Sequence, residues 1–583
     1  MVNVDSISPY CLFSITAPAG AVRAGARGVL FFLMRIIPLF ALAMVAGACS
    51  DRSSNRAVGE PGGTLVISTT ADPGTLFPPL IGQAQAKQIT EQIYDYLADV
   101  GPGMNTRGDQ GFRPQLSDGW RWSNDSLSLT FHINPRARWH DGPAVTSRDV
   151  RFTFALNRNP ALGGSVESEL ANIDSVSTPD SGTAVFWFHE RSPTQFLDAA
   201  AQMLILPAHQ LEKIPVEKLG QLAPPPIGSG RFRFRRWDKG SSVEIVADTL
   251  NYRGRAKLDR VIWSITPDFT PAVTRFLGGD ADLFDALRVE NMAQVQRNPA
   301  LRLKVLPPSD YAFIQFNLRD PANKSRPHPL FGERDIRRAI AMSINRPLLV
   351  KSVLDTMGLV PVGPTVRAFP TTDPGITQIP YDTVHAASLL DSLGWLRKDG
   401  RGVRARRGRE LQFTLLVPTS SLNRLRMSIP LQSQLAQMGV RVVLETMGST
   451  AMGSREQAGD FDAALGNWHL GASPDGTRQA WSSRGVGDAG VNYGWYQSSV
   501  FDTQLDSALR ADSAHARSLF TRAYSTINED APGVWLYEPM TIIGVHRRIR
   551  MGWMRPDAWW ANLADWYIPR EERILRDRLR LSR

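Results

Sequence analysis

Residues 126–156 constrain the fold more than any other stretch of the chain. Leu127, Leu129, Phe131 and Ile133 alternate there with Ser128, Thr130, His132 and Asn134. Successive side chains of a strand point to opposite faces, so this period of two predicts a strand with one face buried. Asn134-Pro135 ends it, because proline has no amide hydrogen to donate and restricts the residue before it. Trp139 then precedes the turn-forming run His140-Asp141-Gly142-Pro143. Thr146 and Asp149 have the spacing of a capping box, with Val150 and Phe154 one helical turn apart behind them. A strand, a turn and a capped helix in quick succession predict a mixed α/β chain. His140 and Asp141 have no nucleophile beside them and read as turn chemistry, not as a catalytic pair.

At 583 residues the chain is too long for one core, so two or three domains are expected. Its start constrains where it works. Met34 and Arg35 open an apolar run that ends in Ala46-Gly47-Ala48-Cys49. That is the form of a secretory signal, and the run is too short to span a membrane comfortably. The last four residues resemble a lipoprotein lipobox, with Ala46 where leucine is usual. We read residues 1–48 as a signal peptide whose start is Met34, Cys49 as the lipidated first residue of the mature chain, and 49–62 as its tether. A single acyl chain holds a membrane weakly, so such anchors use several. Cys11 lies ahead of Met34, so the mature chain is expected to have no disulfide and no cysteine-based metal site. The net charge of +10 is scattered. Its densest run, Arg404-Ala405-Arg406-Arg407-Gly408-Arg409, lies between hairpin-like strands and reads as a solvated turn, not a nucleic-acid patch. The basic tail from Arg570 reads as a solvated helix.

Further along, Thr64-Leu65-Val66-Ile67-Ser68 predicts a short strand and Gln83 to Leu97 a helix. Gly228-Ser229-Gly230 invites comparison with a phosphate loop. No Gly-Lys-Ser/Thr follows and the next element is strand-like, which excludes that reading. Leu411, Phe413, Leu415 and Val417 alternate, a helical segment runs to Met438-Gly439, and Val440 to Leu444 is apolar. Strand, helix, strand is a crossover unit and predicts parallel pairing.

These motifs together resemble the bacterial extracellular solute-binding proteins of family 5, the peptide- and nickel-binding partners of ABC importers. The likeness is carried by Thr130-Phe131-His132-Ile133, by Arg138-Trp139-His140-Asp141-Gly142 and by Thr146-Ser147-Arg148-Asp149-Val150. It continues through the helix from Asp335 to Arg346, through Tyr381-Asp382 and through Asp530 to Tyr537, spanning roughly residues 63–568. The resemblance implies an α/β, two-lobed periplasmic-binding-protein-like fold of type II. It is of the large cluster, with an extra domain in the first lobe and two crossing strands joining the lobes. The implied division is 63–82, 203–310 and 540–583 for the first lobe, 83–202 for the extra domain, and 311–539 for the second lobe.

The implied role is a monomeric, exported, membrane-anchored receptor, periplasmic or at the cell surface. It would bind a peptide or peptide-like solute between its lobes and pass it to permease and ATPase subunits, with no cofactor, metal, nucleic acid or catalysis. By resemblance the ligand contacts are Thr70, Ala71 and Asp72 after the first strand. Across the cleft they are Trp468, His469, Gly471, Ser473, Asp475, Trp481, Asn492 and Tyr493. In peptide-binding relatives an aspartate past the tryptophan meets the peptide's ammonium, since a buried ammonium needs a partner. That position falls on Gly471, and Asp475 is the nearest carboxylate. A nickel chelate at His469 is the alternative ligand. An exported hydrolase or a sensing lipoprotein without a transporter is the alternative role, although neither a Gly-x-Ser-x-Gly elbow nor a His-Glu-x-x-His helix is present.

Overall fold

A computed structural model of the chain describes residues 60–163, 169–222, 224–397, 402–474, 476–487 and 490–578. The expected signal peptide, Cys49 and Asp475 lie outside the described residues.

The strand Thr64–Thr69 is the middle of a seven-stranded sheet. It runs parallel to Arg260–Ile265 on one side and to Leu283–Phe284 on the other. All its residues are buried, as a strand covered on both faces requires. The hairpin Phe232–Asp238 and Ser242–Ala247 extends one edge, and Thr541–His546 with Leu301–Leu306 extends the other. Helix Ala84–Ile93 buries Ile89 and Ile93 in the same core as Leu65, Ile67 and Trp263. Trp559, Trp560 and Trp566, far along the chain, close that core.

The opening stretch of the sequence becomes the strand Ser128–Ile133, interior to a four-stranded antiparallel sheet. Leu129, Phe131 and Ile133 are buried in its core with Trp139, Val150 and Phe154. The capping residues meet as their spacing predicts: the Thr146 amide donates to the Asp149 carboxylate at 2.8 Å. The other oxygen of Asp149 accepts from the Ala208 amide at 2.9 Å, tying the helix start to the returning chain. His140 has a structural role. Its Nδ1 accepts from the Gly228 amide at 3.2 Å, and its Nε2 lies 2.9 Å from the Gly230 carbonyl, which only an N–H can satisfy. Burial lowers its pKa and favours this neutral tautomer. The Gly228-Ser229-Gly230 segment is therefore a packing junction between the two sheets' cores.

A six-stranded sheet forms the second lobe, in the order Gly358–Leu359, Gly533–Pro539, Asp310–Phe316, Ala463–His469, Gln412–Pro418, Arg441–Met447. Gln412–Pro418 and Arg441–Met447 are parallel and joined by helix Leu422–Gln437, the expected crossover. Two passages of chain link this sheet to the first. Leu301–Leu306 leads into Asp310–Phe316, and Gly533–Pro539 leads into Thr541–His546. A pair of short linking strands is the geometry of a hinge. Glu538 lies in the second passage, buried against Arg367 at 2.9 Å, and burial pushes its pKa up to about 7.

Two surface readings need correction. Arg404 is buried and donates to the carbonyls of Met438 and Trp395, while Arg406 pairs with Glu333 and lies over the Trp395 ring. The basic run thus caps the end of helix Leu422–Gln437 and is not a purely solvated turn. In the tail, Asp577 is buried, where it accepts from the Thr64 amide at 2.8 Å and pairs with Arg548. The tail is anchored at its middle, not solvated throughout.

Candidate functional site

The strand Ala463–His469 ends at a cavity of about 600 Å³. One wall is the segment that follows this strand, with His469, Gly471, Ser473, Arg478 and Arg484. A second wall comes from the four-stranded sheet's domain, with Glu169, His189, Glu190 and Asp198. A third comes from helix Ala84–Ile93 and the chain's last part, with Glu91, Arg555 and Asp557. Side chains far apart in sequence thus meet at the end of a strand, where α/β sheets place ligands.

The walls differ electrically. The third wall is balanced internally, since Lys87 pairs with Glu91 at 3.7 Å and Arg113 with Asp99 at 3.5 Å beside the pairs of Arg555. Arg555 pairs with Asp557 at 2.7 Å and Asp99 at 3.3 Å. Burial draws its pKa down, but these carboxylates outweigh that and hold it above the usual arginine range. Burial likewise raises the pKa of Asp99. Glu91 accepts from the Tyr96 hydroxyl at 2.9 Å and the Trp560 indole at 2.6 Å. On the second-lobe wall Arg478 and Arg484 share one carboxylate, Asp506, at 3.0 and 3.1 Å, leaving a surplus positive charge. Glu169, Glu190 and Asp198 line the same cavity, and Glu190 pairs with the second lobe's Arg510 at 3.6 Å. The lining therefore carries both signs, with acids from the four-stranded sheet's domain and arginines from the second lobe.

Direct contacts already bridge these parts. The Arg107 guanidinium donates to the carbonyls of Ala508, Leu509 and Ala511 at 2.9, 2.8 and 2.9 Å, at the end of helix Ser499–Arg510. A cation suits that negative end of the helix dipole. The Thr106 hydroxyl donates to the Ala472 carbonyl at 3.1 Å. Between the first and second lobes, Arg426 pairs with Glu290 at 3.3 Å.

The expected ligand residues separate into groups. His469, Gly471 and Ser473 line the cavity. A Cβ placed on Gly471 would meet nothing within 4 Å, so the position leaves open space. His469 lies 3.3 Å from Asp310. Trp468, half-buried, packs against the second lobe's aromatic core, and its indole N–H has no partner there. Thr70, Ala71 and Asp72 follow the first strand but do not line this cavity. The Asp72 carboxylate accepts from the Gly240 amide at 2.7 Å and the Trp237 indole at 3.3 Å, so it fastens a hairpin of the first lobe.

Trp481 and Asn492 are corrections. Trp481 is fully buried, edge-on to Trp535 at 4.7 Å and Phe313 at 5.1 Å, and its indole donates to the Tyr311 hydroxyl at 2.9 Å. A large apolar ring with a satisfied N–H gains more in that core than at a wet cleft. Asn492 is buried and donates to the carbonyls of Ser482 and Tyr496 at 2.9 and 2.8 Å, shaping a loop. Tyr493 is half-buried beside Glu456. Burial raises its hydroxyl pKa, and Glu456 adds to this.

The charged residues Arg478, Arg484, Glu169, Glu190 and Asp198 were missed by sequence reasoning. The two arginines carried a signal, since both fall in the segment after the Trp468 strand. The acids carried none, because only the tertiary fold brings them there. Among the described residues no group of three or more His, Cys, Asp and Glu could hold a metal ion, and no helix is long and apolar enough to cross a membrane.

The sequence from 111 to 489 matches the family described as bacterial extracellular solute-binding proteins, family 5 Middle. The oligopeptide-binding protein AppA of Bacillus subtilis (strain 168) is 25% identical over 555 residues, covering 92% of this chain and 98% of AppA. A solved structure of AppA from Bacillus subtilis in complex with a nonapeptide has a TM-score of 0.75 at 23% identity, covering 88% of this chain and 100% of that one. NikZ from Campylobacter jejuni in complex with Ni(L-His) has a TM-score of 0.73 at 21% identity, covering 87% and 100%. These likenesses establish the two-lobed fold.

Proposed function

The chain belongs to family 5 of the bacterial extracellular solute-binding proteins, and from that premise we propose that it holds a peptide or peptide-like solute in the cavity at His469 and delivers it to the permease of an ABC importer. The observation that carries this reading is a cavity lined by charges of both signs. Glu169 and Asp198 from the four-stranded sheet's domain line it together with Arg478 and Arg484 from the second lobe. A peptide is itself a dipole, with an ammonium at one end and a carboxylate at the other. The open space at Gly471 moves the ammonium's partner from the second lobe to the acids of the extra domain. A volume near 600 Å³ is that of a site which engulfs a small ligand.

No bond of the ligand needs to change in this role. The ligand favours the closed form only through contacts that are better there than in the open form. The division into first lobe, extra domain and second lobe belongs to the same proposal, as does a lipid on Cys49 that keeps the receptor at the membrane. A second reading follows from His189 and His469, both on the cavity: a solute that brings its own metal, such as a nickel chelate.

Calorimetry with short peptides on the cargo-free protein, followed by mass spectrometry of the peptide, tests the proposal. Saturable one-to-one binding with intact peptide is expected. The Arg484 side chain is 61% exposed, so Arg484→Ala should fold normally. It should weaken peptides with a free carboxylate about tenfold and leave amidated ones nearly unchanged. Cleaved peptide, or binding of nickel-histidine and no peptide, overturns the reading.

A further inference from the structure

The C-terminal segment has features that solute capture does not use. Ile574 and Leu575 are 44% and 79% exposed. Arg570 and Arg578 flank them and are exposed, and Arg547 is exposed nearby. Two of the three acids of this run are paired, and Glu571 is exposed. Asp577 is buried against Arg548, and Glu572 pairs with Arg550, whose guanidinium also reaches the Arg547 carbonyl. Basic side chains around exposed apolar ones are what an anionic bilayer surface attracts. The charges are drawn to the headgroups, and the apolar side chains enter the boundary below them.

The first described residues of the chain lie at the same place. Arg573 donates to the carbonyls of Glu60 and Pro61 at 2.8 and 3.1 Å. The residues from Cys49 to Glu60 can reach at most about 40 Å. A lipid on Cys49 would therefore keep this segment close to the membrane.

We propose that the C-terminal segment around Ile574 and Leu575 is a membrane-docking surface for anionic phospholipid. It orients the first lobe on the bilayer and acts in addition to the acyl anchor. The proposal goes beyond the anchor and is tested without it.

The test uses the mature chain carrying Cys49→Ser, floated with vesicles of phosphatidylglycerol and phosphatidylcholine or of phosphatidylcholine alone. Binding to the anionic vesicles only is expected, and added salt should weaken it by screening. The double variant Arg570→Glu with Arg578→Glu should lower bound protein at least about tenfold. The pair Ile574→Asp with Leu575→Asp should lower it as well, and both should keep the wild-type melting profile because these side chains are exposed. Arg573 and Arg576 are left intact, since they hold the tether and Asp282. Equal flotation on both vesicle types, flotation on neither, or variants that float like the wild type overturns the proposal. Peptide titrations on the same variants separate that failure from a failure of solute binding.

Discussion

Replacing Arg548 by methionine is expected to destabilise the first lobe by about 3–5 kcal/mol. The Arg548 side chain is 3% exposed and pairs with Asp282 at 2.8 Å and with Asp577. It also donates to the Thr64 carbonyl at 3.1 Å. Both carboxylates are fully buried and are bonded to the sheet: Asp282 accepts from the Val66 amide at 2.9 Å, and Asp577 from the Thr64 amide at 2.8 Å. Burial alone would lower the guanidinium's pKa. Hydrogen bonds and charge from the two carboxylates reverse that and hold it above the ordinary arginine value. Methionine fills the space but leaves two buried carboxylates, with only Arg576 still beside Asp282. The cost is that of an uncompensated buried charge, not of a lost surface pair. Urea unfolding followed by first-lobe tryptophan fluorescence measures it. Adding Asp577→Asn to the variant should recover part of the loss. Exposed Arg297→Ala should stay within about 0.5 kcal/mol of wild type.

Gly228→Ala should cost about 3 kcal/mol or more, by overpacking against backbone that cannot rotate away. A Cβ at 228 would stand 1.8 Å from the Ile93 carbonyl oxygen. Relief requires Ile93 and Gly228 to separate. That motion would break the Gly230 amide's bond to the same carbonyl, 2.8 Å, and the two contacts of His140. The damage would spread from the junction into both adjoining cores. The comparison is Gly119→Ala, where a Cβ meets nothing within 4 Å and the effect should be below about 1 kcal/mol. Limited proteolysis should show the Gly228→Ala chain opening first at the junction of the four-stranded sheet with the first lobe.

What the sequence made legible is local or periodic. The alternation from Leu127 to Ile133, the Thr146 and Asp149 cap, and the strand-helix-strand unit after Leu411 all appear in the fold, because each is written in neighbouring residues. His140 and Gly228 read correctly as structural, although their meeting joins positions 88 residues apart. The site was harder. His469, Gly471 and Ser473 line the cavity because they end a strand whose position the periodicity shows. Trp481 and Asn492 lie in the same region, yet their side chains turn into the core. Sequence proximity to a cleft does not fix which way a ring points. The acids Glu190 and Asp198 were invisible as cavity residues because nothing local marks them. Arg404 misled for the opposite reason: a basic run looks solvated until one of its members is seen capping a helix.

The account rests on closure around an intact solute. Fluorophores placed through Leu250→Cys and Val500→Cys, both exposed and on opposite lobes, report it directly in a chain stripped of its other cysteines and of bound cargo. A saturating peptide should shorten the distance between the two dyes, in step with calorimetric binding, while the peptide is recovered uncleaved. A distance that stays fixed at full occupancy, or a peptide recovered in pieces, would contradict it.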